Sequence, residues 1–164
     1  MTERPVATWL LVAGDPGQTT GGYLYDARIA EFLRRAGRPI DVVGLPGRFP
    51  DADSTAANAL DGALAACRDG ATVVIDGLVL GSLPEVLAKH ACRLNLVALI
   101  HHPLADEYGI GRTLARRLFE TERLALALVA RIVVTSRFTA RHLVDAYGVA
   151  PAKVDIVEPG VDRP

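Results

Sequence analysis

The chain has 164 residues and 50% of them are hydrophobic, enough for one domain with its own core and little surplus for a second. Eighteen Lys and Arg against nineteen Asp and Glu leave a formal charge of -1, which gives a phosphate-coating partner such as DNA or RNA no electrostatic basis. Cys67 and Cys92 form no C-x-x-C pair and lie far from any histidine at zinc-ligand spacing, so reduced cytoplasmic thiols are expected rather than a disulfide framework or a zinc knuckle.

Ala7 to Val12 is an apolar run of strand formers, stopped by Gly14-Asp15-Pro16-Gly17, which cannot extend a ladder. The residues before it lack the cleavage pattern of a secretory signal. From Gly22 the spacing turns helical: Leu24, Ala27, Ile29, Ala30 and Leu33 are expected to share the inward face, and Gly37 with Pro39 closes the helix. Ile40 to Val43 reads as a second strand, followed by a Pro/Gly-rich loop through Pro50 and an alanine-rich helix from Ser54 to Cys67. Thr72 to Ile75 is a third strand, Pro84 to Ala91 a short helix with proline in its first turn, and Leu94 to Ile100 a fourth strand. A helix from Arg112 to Ala130, a strand Ile132 to Thr135, a helix from Arg137 to Tyr147 ended by Gly148, and a strand Val154 to Val157 complete the series. Leu124 to Val134 is apolar but broken by Arg131, and falls short of the about 18 to 20 residues a membrane span needs. Strands written as continuous Val/Ile/Leu runs are buried on both faces. The alternation therefore predicts a Rossmann-like α/β domain, a doubly wound, open, mainly parallel sheet of about six strands with helices on both faces.

In an open parallel sheet, ligands bind beyond the carboxyl ends of the strands, so the loops leaving the strands are where chemistry is expected. The first runs from Gly14 to Gly22; its glycines let backbone N–H groups approach a ligand, and the positive end of the helix dipole favours a phosphate. It holds neither G-x-G-x-x-G nor the G-K-[ST] of a P-loop, which removes the main support for a dehydrogenase or an NTPase, and a plain glycine turn is the competing reading. After the fourth strand, His101-His102-Pro103 offers imidazoles that can donate to a ligand or exchange a proton near neutral pH. Adjacent histidines on extended backbone point to opposite sides, so no metal site is expected from them. Asp106 and Glu107 read as a solvated loop rather than an acid/base pair. Asp76, before Gly77 at the third strand's end, suits either a ligand contact or a turn, whereas Ser136 is expected to cap the next helix and sits in no G-x-S-x-G elbow. Cys67, Cys92, Tyr23 and Tyr25 read as packing groups. Arg112, Arg116, Arg117 and Arg123 fit either peripheral contact with an anionic membrane or a solvated, salt-bridged face, and the interspersed Glu120 and Glu122 favour the second.

Several of these segments occur in a familiar order: Gly21-Gly22 opening the first helix, His101-His102-Pro103, the run from Glu122-Arg123 to Val133-Val134-Thr135-Ser136 with Thr139, the Tyr147-Gly148-Val149 helix end, and Val157-Glu158-Pro159-Gly160-Val161-Asp162. Together they resemble the N-terminal domain of GT-B glycosyltransferases of the family-4, sugar-retaining type, over nearly the whole chain. The resemblance implies transfer of a sugar from a nucleotide-diphosphate-sugar to an acceptor it does not name, with no metal expected. It also implies that Gly21 and Gly22 contact the donor diphosphate and that His101, ahead of His102, contacts the donor sugar near the reacting carbon. The acceptor would lie against this domain, with Asp15, Gln18 and Tyr25 as candidate contacts. By the same resemblance, residues 1–158 are the acceptor-side domain and 159–164 begin an interdomain linker. The family's donor-binding domain, with its glutamate-x7-glutamate motif, is absent from this chain, so the isolated chain is expected to fold without transferring sugar. A stand-alone module binding a small phosphorylated ligand, or a subunit completed by a partner chain, is the alternative.

Overall fold

The apolar runs are buried on both faces, as their composition requires: Leu10, Leu11 and Val12 are each exposed by 1% or less. The computed structural model describes residues 8–160, so Ala7 and the Val161-Asp162 end of the last motif lie outside the described residues. The six strands are β1 (Thr8–Ala13), β2 (Ile40–Leu45), β3 (Thr72–Asp76), β4 (Asn95–Ile100), β5 (Arg131–Val134) and β6 (Val154–Ile156). They form one sheet in the order β2-β1-β3-β4-β5-β6, with every neighbouring pair parallel. Leu11 stands opposite Val43 on one side and Ile75 on the other, which fixes which residues share a face.

Among the described residues six α-helices cover the sheet: α1 (Gly21–Arg35), α2 (Ser54–Ala66), α3 (Gly77–Leu80), α4 (Pro84–His90), α5 (Arg112–Leu128) and α6 (Arg137–Tyr147). The chain is a Rossmann-like α/β domain. On one face, Tyr23, Tyr25, Ala30 and Leu33 of α1 pack with Leu10, Val12, Ile40 and Leu99. The larger core fills the other face, where the remaining helices meet Leu11, Val73, Ile75, Leu96, Ala98, Ile100, Ile132 and Val134. From β1 the chain turns to one side to make β2, and from β3 onward it proceeds to the other. The reversal lies between β1 and β3, and their carboxyl ends open the crevice in which such sheets bind ligands.

Several local expectations change. The segment after Asp76 is a helical turn, α3, with the Asp76 carboxylate accepting the Leu78 N–H at 3.0 Å; four residues are too few to show a helical period. On α1 the buried residues are Asp26 and Ala30, whereas Leu24 is 51% exposed and Ala27 is exposed too. Glu122 does not join the salt-bridged face of α5: it is wholly buried, and that face is carried by Arg123 on Glu120 at 3.2 Å and Arg117 on Asp51 at 2.5 Å. Asp106 and Glu107 are exposed, as expected of a solvated loop, and each pairs with a histidine, His142 at 3.0 Å and His102 at 2.6 Å. Among the described residues, no helix is long and apolar enough to cross a membrane.

One glycine decides how the first loop leaves the sheet. Gly44, near the end of β2, lies under the β1 loop, and a Cβ there would stand 2.0 Å from the Gly14 carbonyl oxygen and 2.8 Å from Pro16 Cδ. The Gly14 N–H in turn bonds the Leu45 carbonyl at 2.8 Å, so the backbone cannot simply lift away. Gly44→Ala is expected to cost about 2–3 kcal/mol in a urea unfolding titration, in the range of overpacked cores. An unchanged midpoint would mean that the loop yields without cost.

Candidate active site

Three elements meet at the crevice. β4 delivers His101, β3 ends on Asp76, and the second turn of α1 carries Asp26 inward on the same stripe as Tyr23, Ala30 and Leu33. Nε2 of His101 lies 3.1 Å from Oδ1 of Asp26 and 3.7 Å from Oδ2 of Asp76. Both carboxylates are nearly buried, with side chains 5% and 13% exposed, while the imidazole keeps 23%. The Asp76 carboxylate is held by the Leu78 N–H, and the His101 and Tyr25 rings stand nearly perpendicular, their centroids 5.4 Å apart. Thr135 and Thr139 hydroxyls both donate to the His101 carbonyl at 3.3 Å, and Ser136 caps α6 by accepting the Thr139 N–H at 3.0 Å. The backbone at the strand end is therefore fixed from α6 while its ring is fixed from α1.

The charges in the cluster act on His101 and Asp76. Burial works against the imidazolium, but the hydrogen bond and charge of Asp26, with the charge of Asp76, outweigh it and raise the His101 pKa above its ordinary value. Burial, reinforced by the neighbouring charge of Asp26, pushes Asp76 up to about 6, although His101 and the Leu78 and Gly77 amides pull the other way. Near neutral pH the favoured arrangement is a positively charged donor on His101 backed by carboxylate charge. The ligand atoms of Asp26, Asp76 and His101 also lie within 4.8 Å of one another, a set able to hold a divalent cation. The imidazole nitrogen facing the two aspartates is already hydrogen-bonded to Asp26, so a cation there would have to displace that bond.

His101 opens onto a cleft of about 800 Å³ that runs along α1, walled by Gly21, Gly22, Leu24, Tyr25, Arg28 and Phe32 on one side and by Thr135, Pro159 and Gly160 on the other. The Thr20 side chain makes no cap hydrogen bond and the first turn of α1 holds no acidic residue, which leaves the glycine amides and the positive helix end to whatever enters. Gly22 is tight against the histidine: a Cβ would meet His101 Cδ2 at 3.2 Å. The Tyr25 hydroxyl donates to the Val157 carbonyl at 2.8 Å and ties α1 to the segment that follows β6.

The family model described as Glycosyltransferase Family 4 matches residues 23–163. The chain belongs to glycosyltransferase family 4. Comparison with curated proteins gives no match. The matched span begins just after Gly21-Gly22, so the glycine pair stands on its own geometry, while His101, His102 and Tyr25 fall within the span.

Within this family-4 domain the residues expected to act divide. Gly21, Gly22, Tyr25 and His101 share the cleft. His102 points away, as alternation requires, with a side chain 56% exposed and paired to Glu107. Asp15 and Gln18 do not line the cleft: the Asp15 carboxylate accepts the Gly17 N–H at 2.8 Å and the Gln18 amide donates to the Asp15 carbonyl at 3.1 Å. Sequence reasoning misses Asp26 because a helical aspartate counts as solvent-facing. The signal that marks it is its position four residues before Ala30 and seven before Leu33, on a stripe that has to be buried.

Proposed function

We propose that the protein transfers a sugar from a nucleotide-diphosphate-sugar to an acceptor, with retention at the anomeric carbon. The observation that carries this reading is the shared cleft of the Gly21-Gly22 helix start and His101. The diphosphate takes the glycine amides at the positive end of α1, which complements the charge that grows on the leaving phosphate as the glycosidic bond breaks. His101, kept charged by Asp26 and Asp76, donates from the strand end to a hydroxyl of the donor sugar and holds the reacting carbon against the cleft. The acceptor lies farther along α1, beside Tyr25. Transfer needs no metal in this reading, since the two carboxylates are spent on His101. It takes place in the cytoplasm, in keeping with free thiols at Cys67 and Cys92.

The cleft has α1 and the Pro159-Gly160 segment for walls, so a second, donor-binding domain is proposed to close it. The test is titration of the 164-residue chain with nucleotide-diphosphate-sugars, followed by amide and imidazole NMR shifts and by a product assay with and without a chelator. The Gly21, Gly22 and His101 signals are expected to move with millimolar donor, equally in chelator, and no product is expected. Movement abolished by chelator would establish a cation at Asp26, Asp76 and His101. Turnover by the chain alone would overturn the divided site, and unmoved glycine amides would remove the diphosphate assignment.

A further inference from the structure

Glu122 is wholly buried on α5, and the chemistry above leaves it unused. One carboxyl oxygen, Oε2, accepts the Leu104 N–H at 3.0 Å. The other, Oε1, has no hydrogen-bond partner among the described residues, and neither has the Tyr147 hydroxyl. Gly81 packs against the same side chain, where a Cβ would stand 3.1 Å from both Cβ and Cγ of Glu122. A leucine would fill this space without the cost of burying a carboxyl, so filling space does not account for the residue.

Only an acceptor can satisfy the Leu104 N–H. Leu104 opens the helical turn Leu104–Asp106, directly after Pro103, and the first amides of a helical turn have no partner within it. That amide lies three residues beyond His101. The Thr135 and Thr139 hydroxyls hold the turn at its start and Glu122 holds it at its end.

We propose that Glu122 is a positioning residue for His101: by accepting the Leu104 N–H it fixes the His101–Leu104 turn, and with it the approach of the imidazole to Asp26 and to the cleft. The proposal rests on the reading that His101 serves the donor sugar. Burial pushes Glu122 up to about 7, with the Leu104 amide pulling down and the charge of Asp106 pushing up. Either protonation state retains an oxygen that accepts the amide.

The experiment is NMR on the full chain as wild type, Glu122→Gln and Glu122→Leu, reading Leu104 amide exchange against the β5 amides and the titration of His101. Glutamine keeps an acceptor, so exchange within about threefold of wild type and an unmoved His101 pKa are expected. Leucine keeps only the volume; Leu104 exchange is expected to rise about tenfold and the His101 pKa to fall toward its ordinary range. Wild-type behaviour in Glu122→Leu, or equal damage in both variants, would overturn the proposal. Should Glu122→Leu fail to fold, the wild type decides through a scalar coupling across the hydrogen bond from the Leu104 nitrogen to the Glu122 carboxyl carbon, whose absence would also overturn it. None of these readouts uses a sugar donor. Their failure leaves the transferase reading standing, and failed donor binding by the wild-type chain leaves the hold on Leu104 standing.

Discussion

Asparagine in place of Asp26 is expected to lower the His101 pKa and to slow transfer by about a hundredfold in an enzyme with both walls of the site, the scale of loss when the hold on the reacting carbon is loosened. The side chain keeps its shape and its carbonyl can still accept from Nε2 at 3.1 Å, so what the substitution removes is charge. Two opposing consequences follow for the cluster. His101 loses the partner that did most to keep it charged. Asp76 loses the neighbouring charge that helped to raise it, ionises more readily, and at 3.7 Å returns part of the attraction. Asp76→Asn is therefore expected to do less harm than Asp26→Asn, and the double variant more than the sum of the two. An imidazole titration with kcat and KM for each variant checks the order. A His101 pKa unmoved in Asp26→Asn, or a kcat within twofold of wild type, would mean that carboxylate charge does not arm the histidine.

How far such a site can be read from sequence depends on what each residue's neighbours disclose. The strands are legible because a buried parallel strand must be apolar at every position, and Leu10-Leu11-Val12 or Leu99-Ile100 announce themselves. His101 is legible because topology alone marks the end of such a strand as a place for ligands. Ser136 is legible because the cap is local, three residues from the N–H it accepts. Asp26 and Glu122 are not, since a helical pattern assigns charged residues to water by default. Their positions say otherwise: Glu122 stands four residues after Leu118 and four before Leu126, both buried, and so on the inward stripe of α5. What the stripe cannot say is the partner. His101 and Leu104 lie 75 and 18 residues away in sequence from the carboxyls they meet, and only the packing of α1 and α5 joins them. Asp15 illustrates the converse, because a loop aspartate two residues before a glycine has a local amide within reach and accepts it outside the cleft.

Stability is expected to fall as pH rises from about 5 to about 8, contrary to the usual behaviour of acidic side chains, whose ion pairs are lost in acid. The sign comes from three raised groups. Glu122 moves from an ordinary 4.5 up to about 7 through burial, so the folded chain holds its proton more tightly than the unfolded chain does; that contribution is complete below 4.5 and is lost as pH rises through 7. Asp76, raised from 3.8 to about 6, acts in the same sense over a lower window. His101, raised above 6.5, contributes fully below that value and loses its contribution at higher pH. Asp53 and Asp61 are held low, by the Ala56 amide and by His90, so their contributions disappear only in acid and leave this window clear. Glu122 alone accounts for a change on the order of 3 kcal/mol, because each tenfold difference in proton affinity between the folded and unfolded chains is worth about 1.4 kcal/mol. The check is urea unfolding of wild type and Glu122→Gln at pH 5 and pH 8. Glutamine cannot ionise, so the variant should come nearest the wild type at the lower pH, where the folded chain's carboxyl is neutral, and exceed it by more at the higher. A constant difference between the two proteins across this range would mean that Glu122 ionises like an exposed carboxylate, which a wholly buried side chain with an unpartnered oxygen has no means of doing without a counter-charge.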